Sequence, residues 1–202
     1  MNFENKKEAI QLTDQMKEFE KIETPEKLLD YMRSNIRYGF VGKNDGKVYS
    51  PQIEGWGEGE SPEYKPQDPE ELLESGYGTC WEQTELEKDW FSKNNFEFKT
   101  FLLMFGKNIS QKNPAHTLLA YEDGDMWHWI ENTLDGHNGI HEYEELDDLI
   151  EAAKKIIISN AVNSGATDED LEKYALYEYK TLVSSCSDRD EFISRVIEEN
   201  QP

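Results

Sequence analysis

The sequence predicts an α+β fold, and three observations predict it. Helical patterns come first and strand patterns follow as a block, rather than alternating as in a parallel β/α sheet. Two segments open with full helix-start signals, Asp68-Pro69-Glu70-Glu71 and Thr79-Cys80-Trp81-Glu82. Asp123-Gly124 then sits between two apolar-rich runs and is the strongest short hairpin signal in the chain.

Residues 1–35 read as helical. Residues 6–21 form a charged stretch that carries Ile10, Leu12, Met16 and Phe19. A second helix has Thr24 as N-cap and Pro25 at its first position. Its Leu28, Leu29, Met32 and Ile36 fall at three- and four-residue spacing, one face of a helix. From Arg37 to Gln67, Gly39, Gly42, Gly46, Gly55, Gly57 and Gly59 punctuate the chain, together with Pro51, Pro62 and Pro66. A stretch this long in a compact domain is either functional or disordered. Tyr38, Phe40, Tyr49, Trp56 and Tyr64 run through it and favour an ordered cover over a surface.

A short helix from Asp68 ends at Gly76, and another runs from Cys80 to about Asn94. Residues 96–105, 115–121 and 126–131 read as strands, and residues 146–159 as a helix. Thr167 caps a further helix, residues 177–183 read as a strand, and residues 188–199 as a last helix. Neither an internal repeat nor a Gly/Ser linker divides the chain.

The 202 residues suit one domain of ordinary size or two small ones. Asp and Glu number 43 against 21 Lys and Arg, a net charge of −22. So acidic a chain is not expected to grip the nucleic-acid backbone, which is held by cationic side chains. Anionic membrane surfaces should repel it. Mean hydropathy of −0.86 leans towards disorder. The 9 Phe, 10 Tyr and 5 Trp argue for a folded domain with an acidic surface. The charged start (Glu4, Lys6, Lys7, Glu8) has no apolar segment behind it, so no leader is expected. No apolar run approaches the roughly 20 residues of a membrane helix. Cys80 and Cys186 form no disulfide framework and no metal-type spacing, which makes a reduced, cytoplasmic location the expectation.

Thr79-x-x-Glu82 has the form of a capping box, which places Cys80 at the first helical position. Unpaired N–H groups and aligned peptide dipoles favour negative charge there, so the thiol loses its proton more easily. The thiolate is the nucleophile, and a nearby N–H can hold an oxyanion. Gly76 and Gly78 would let the chain turn and leave room for a substrate. Leu86 and Trp90 would bury the other side of the helix. The alternative is a buried structural cysteine. A base would decide between them.

If Asp123-Gly124 is a two-residue loop, Leu118 faces Trp129 and His116 faces Glu131. Opposite residues share a face with Cβ atoms about 5 Å apart. An apolar wall then carries a His–carboxylate pair at its end, as a thiol nucleophile requires: one ring nitrogen takes the proton while the carboxylate holds the other. A loop longer by one residue would pair His116 with Asn132, whose amide can also orient an imidazole. His116 as a satisfied strand histidine is the competing reading. His128 should point to the opposite face from Glu131. His137 and His141 suit a metal only on a helix, against which Gly136 and Gly139 argue. Cys186 has no base beside it. Neither a metal nor a cofactor is expected.

The order helix-borne Cys, strand, strand with His, strand with acid reads Gly78-Thr79-Cys80-Trp81-Glu82-Gln83, then 98–105, then Ala115-His116-Thr117, then Trp127-His128-Trp129-Ile130-Glu131. This resembles the transglutaminase-like superfamily of papain-type cysteine enzymes, and in particular a group of small bacterial proteins with GxCW, PxHT and GIHEY elements. The last is here Gly139-Ile140-His141-Glu142-Tyr143, and Asn35-Ile36-Arg37-Tyr38 resembles the stretch that precedes the cysteine in many such domains. The resemblance covers roughly residues 24–158. It implies a papain/transglutaminase-like core, with the cysteine helix packed on an antiparallel sheet. Residues 1–23 would then be a helical extension, 24–160 the transglutaminase-like domain, and 161–202 an α/β extension packed on it.

It further implies acyl transfer through a thioester: Cys80 attacks a peptide or protein amide, His116 is base and acid, and a third residue orients it. The superfamily usually has Asp at that third place, where Glu131 stands here, with Asn132 as second choice. Trp81, Tyr38, Trp56 and Trp129 are the expected substrate-binding aromatics. The alternative is an inactive member of the same fold, acting as an acidic binding protein.

Overall fold

A computed structural model of the chain describes residues 14–53, 63–105, 115–163, 166–167, 171 and 174–201. Its N-terminal helices are α1 (Asp14–Phe19) and α2 (Pro25–Asn35). Thr24 caps α2 by accepting from Lys27 N, and Leu28, Leu29 and Met32 are buried. The part of the first predicted helix before Asp14 lies outside the described residues.

A five-stranded, wholly antiparallel sheet forms the middle of the molecule. Its strands are β6 (Phe98–Phe105), β7 (Ala115–Asp123), β8 (Met126–Glu131), β9 (Gly139–Tyr143) and β10 (Tyr174–Glu178), in the order β10-β6-β7-β8-β9. Side chains alternate across it, so each strand serves two layers. On one face α4 (Cys80–Lys93) buries Leu86, Trp90 and Phe91 against Leu119, Tyr121, Ile130 and the apolar side of α2. On the other face α5 (Leu146–Asn163) buries Leu149, Ala153 and Ile157 against Phe101, Leu103, Leu118, Ala120 and Trp129. Each Leu, Ile or Phe among these contributes about 1.5–3 kcal/mol by leaving water. The fold is mixed α+β, as the order of elements predicts. No described helix is long and apolar enough to cross a membrane.

Between α2 and α4 the chain makes short pieces: β1 (Arg37–Tyr38), β2 (Phe40–Gly42), β3 (Val48–Tyr49), β4 (Tyr64–Lys65), α3 (Pro69–Ser75) and β5 (Tyr77–Gly78). Strand β2 pairs with both β3 and β4, while β1 runs parallel to β5. Phe40 stacks on Tyr49 at 5.3 Å and meets Tyr64 edge-on at 5.8 Å, and Tyr64 in turn meets Trp81 at 6.1 Å. The described part of the glycine-rich stretch is thus a small sheet leaning on the start of α4.

One strand is added and two expectations change. Residues 139–143 are a strand that pairs with β8, a role the short, half-buried Gly-Ile-His-Glu-Tyr run does not signal. The strand expected at 177–183 is instead β10, because residues 101–105 of β6 offer their free edge to 174–178. Beyond it the chain leaves the sheet, so that Tyr179 and Val183 enter the core beneath α6 (Arg189–Glu199). The β7–β8 hairpin pairs Asp123 with Met126 and Ala120 with Trp129, so its loop is Gly124-Asp125 rather than Asp123-Gly124. Gly124 takes the left-handed conformation (φ 65°) that the turn needs.

Candidate active site

The nucleophile position is built by α3 and α4. Asp68 and Glu71 close a capping box on α3, and Gly76 ends it in the left-handed conformation (φ 67°). Thr79 N and Oγ1 both donate to Glu82 Oε2, at 2.9 and 2.7 Å, while Thr79 Oγ1 accepts from Trp81 N. Cys80 is therefore the first residue of α4, where the sequence pattern puts it. Gly78 does not make room for a substrate. A Cβ there would meet Leu72 Cδ1 at 2.6 Å, so its missing side chain lets α3 pack close to α4.

Thr84 Oγ1 lies 3.1 Å from Thr117 Oγ1, one turn along α4 from Cys80, and ties the start of β7 to the start of the helix. This brings His116 to Cys80. His116 Nε2 lies 2.9 Å from Glu131 Oε2, which leaves Nδ1 as the ring nitrogen that the acid does not use, and the ring and the sulfur each shift the other's titration. All three side chains are buried: Cys80 is 7% exposed, His116 4% and Glu131 2%. The other Glu131 oxygen accepts from Thr133 N, Thr133 Oγ1 and Leu134 N, so both are fully satisfied.

The His–Glu contact does not come from direct cross-strand pairing. The β7–β8 ladder ends at Ala120–Trp129, and the two residues meet beyond it through side-chain reach. The two-residue shift of the hairpin preserves parity, so Glu131 and not Asn132 stays with His116. Asn132 Nδ2 instead donates to Gln83 Oε1 at 2.8 Å, and Gln83 Nε2 donates to the Gly78 carbonyl at 3.0 Å. As the alternative partner of His116, Asn132 is ruled out by this pairing: it braces the cysteine turn.

Burial pushes the Cys80 thiol up. The His116 charge, its hydrogen bond to sulfur and the Thr117 groups more than offset this, so the thiol lies below its ordinary value. Burial likewise opposes charging of His116, and the negative charges of Glu131 and Cys80 win and raise it. Burial opposes the ionisation of Glu131, which its contacts with His116 and Thr133 nevertheless drive below the usual carboxylate range. The arrangement favours a thiolate and an imidazolium backed by a carboxylate.

Two further acids lie close by that the sequence does not single out. Glu82 is fully buried, and burial raises it to about 8. Glu87 lies two turns after Cys80 and is raised well above the carboxylate range, by burial first and then by the charge of Glu131. Burial thus disfavours the charged form of both acids beside the thiolate. Only the N3 position of Glu82 carries a signal in sequence, and that signal is for capping.

The expected aromatics separate. Trp81 is 5% exposed, its indole packed between Tyr64 and Phe192. Tyr38 keeps 38% of its surface, yet its phenol end is desolvated and within the electrostatic reach of Cys80, which together raise its pKa. Trp129 is fully buried in the layer under α5 and stacks on His141 at 4.8 Å, so it has no surface to offer a substrate. Trp56 lies outside the described residues. His141 bonds the His137 carbonyl, and among the described residues no group of three or more His, Cys, Asp or Glu is placed to hold a metal.

No family model matches the chain, and no curated protein is similar to it in sequence.

Proposed function

We propose that the protein is a transglutaminase-like cysteine hydrolase or acyltransferase that acts on an amide bond through a thioester on Cys80. The observation that carries this reading is the His116–Glu131 contact of 2.9 Å beside a helix-start cysteine whose thiol is depressed. The Cys80 thiolate attacks the acyl carbon, and the Cys80 amide N–H at the start of α4 receives the oxyanion. As the C–N bond breaks, the His116 imidazolium gives its proton to the leaving amine. Water or a second amine then attacks the thioester, His116 takes the proton of that acceptor, and the C–S bond breaks to restore the thiolate–imidazolium pair. Glu131 holds the ring throughout and stabilises its charged form. A papain-like core, a peptide or protein substrate and a cytoplasmic setting belong to the same proposal.

Alkylation of the whole protein with iodoacetamide, followed by peptide mass spectrometry, tests it. Cys80 is expected to react at least about tenfold faster than Cys186 at pH 7, because burial raises the Cys186 thiol. In Cys80→Ala the fast phase disappears. Equal, slow labelling of both thiols would leave the second reading, an inactive acidic binding protein, which the burial of Cys80 and the −22 charge favour.

A further inference from the structure

A chain of side-chain amides joins the turn of the nucleophile to the strand of the acid. Strand β5 leads into the cysteine helix, and a buried glutamine holds each of its two carbonyls. Gln67 Nε2 donates to the Tyr77 carbonyl at 2.8 Å, and Gln83 Nε2 donates to the Gly78 carbonyl at 3.0 Å. Ser75 Oγ and Gly39 N add longer bonds to these carbonyls, at 3.2 and 3.4 Å. Both glutamines are 2% exposed, and they differ at their far ends. Gln67 belongs to the glycine-rich stretch, whereas Gln83 Oε1 accepts at 2.8 Å from Nδ2 of Asn132, the residue that follows Glu131. The backbone supplies the remaining links. Gly78 stands two residues before Cys80, and Asn132 is bonded to Glu131, whose Oε2 lies 2.9 Å from His116 Nε2.

A carbonyl oxygen only accepts, so Gln83 presents its NH2 to Gly78 and its oxygen to Asn132, which presents its own NH2 in turn. Turning the Gln83 amide over would set two acceptors together at Gly78 and two donors together at Asn132. A satisfied chain of this kind holds a single arrangement. We infer that Gln83 and Asn132 are positioning residues of the Cys80 site, fixing the cysteine turn against the His116–Glu131 pair so that thiolate and imidazolium stay close. This rests on the reading of Cys80 as the nucleophile. Attraction between the two charges falls with distance, so a looser turn leaves more of the thiol protonated. Neither amide touches a substrate in this role, and the proton transfers stay with His116.

The pH profile of Cys80 alkylation by iodoacetamide, read on the full chain by peptide mass spectrometry, tests it. Gln83→Met and Asn132→Leu keep the approximate shape, add no charge and remove the amide contact. Each is expected to raise the pH midpoint by about one unit, roughly a tenfold loss of thiolate below it, with the high-pH plateau within about twofold. The double variant should move the midpoint no further, since either change breaks the same chain. Gln67→Met supplies the contrast: it takes the amide from the Tyr77 carbonyl, and should lower the urea midpoint while the pH midpoint stays in place. Asn132→Ser, at a half-buried position, loses the reach to Gln83 and carries the test where Gln83→Met does not fold. Unmoved pH midpoints in the Gln83 and Asn132 variants, or an equal shift in Gln67→Met, overturn the positioning role and leave the amides to stability alone. Additive shifts in the double variant overturn the single chain. Wild-type Cys80 labelled no faster than Cys186 overturns the nucleophile reading instead.

Discussion

His116 Nε2 and Glu131 Oε2 lie 2.9 Å apart although no backbone ladder joins their positions. The contact is held from the acid's side, where Thr133 and Leu134 occupy the second carboxylate oxygen and leave the first aimed at the ring. A residue that is 2% exposed and fully hydrogen-bonded is a rigid anchor for an imidazole.

Glu131→Gln removes the charge and keeps most of the shape. The His116 imidazolium then loses its main support and the Cys80 thiolate loses its partner. The midpoint of the alkylation pH profile of Cys80 should move up by about 1–3 units. The profile, measured with iodoacetamide, separates this from simple loss of fold, which would speed both thiols together.

Glu82 links stability to pH. Burial raises its carboxyl from 4.5 to about 8. Because the folded value lies above the unfolded one, its contribution is present below 4.5 and is lost as pH rises through about 8. Between pH 5 and pH 9 the wild type should lose about 4 kcal/mol relative to Glu82→Gln, which still caps Thr79 and does not titrate. Urea midpoints of the two proteins across that range give the comparison.

Lys88 pairs with the buried Glu85 at 2.8 Å, and its ammonium also reaches the carbonyls of Lys180 and Thr181. Lys88→Ala strands a buried acid and frees the chain leading into α6, at an expected cost of about 3–5 kcal/mol. Glu85→Ala/Lys88→Ala should cost less than the two single changes combined, since neither charge is then left alone. Denaturant unfolding of the three variants yields the coupling.

Gly78→Ala would drive a methyl into Leu72 Cδ1, 2.6 Å away, with Glu82 Cβ at 3.0 Å on another side. Overpacking of this kind costs about 1–3 kcal/mol. Gly78→Ala/Leu72→Ala should recover part of the alkylation rate of Cys80, because the strain sits in the turn that aims the sulfur.

Much of the site is legible in local chemistry. Thr79 and Glu82 announce a helix start, which fixes Cys80 at its first position whatever packs around it. The alternation around Asp123-Gly124 puts His116 and Glu131 on one side in any register of that parity, so a loop misplaced by one residue, which shifts the register by two, still leaves them on one face. Gly78 is different: its glycine is visible in sequence, but whether the empty space belongs to a ligand or to Leu72 is not.

Caps, turns and periodicity act over a few residues, so the sequence by itself determined the helices α2 to α6, three strands of the large sheet and the α+β class. Only the tertiary structure decided the pairing of β9 and β10, the burial of Trp129, the turning of Asn132 towards Gln83, and the arrival of Arg189 at Trp81 from more than a hundred residues away. Those outcomes depend on which surfaces meet when distant segments compete for the same core. That competition is settled by packing and charge across the whole chain, and no local pattern records it.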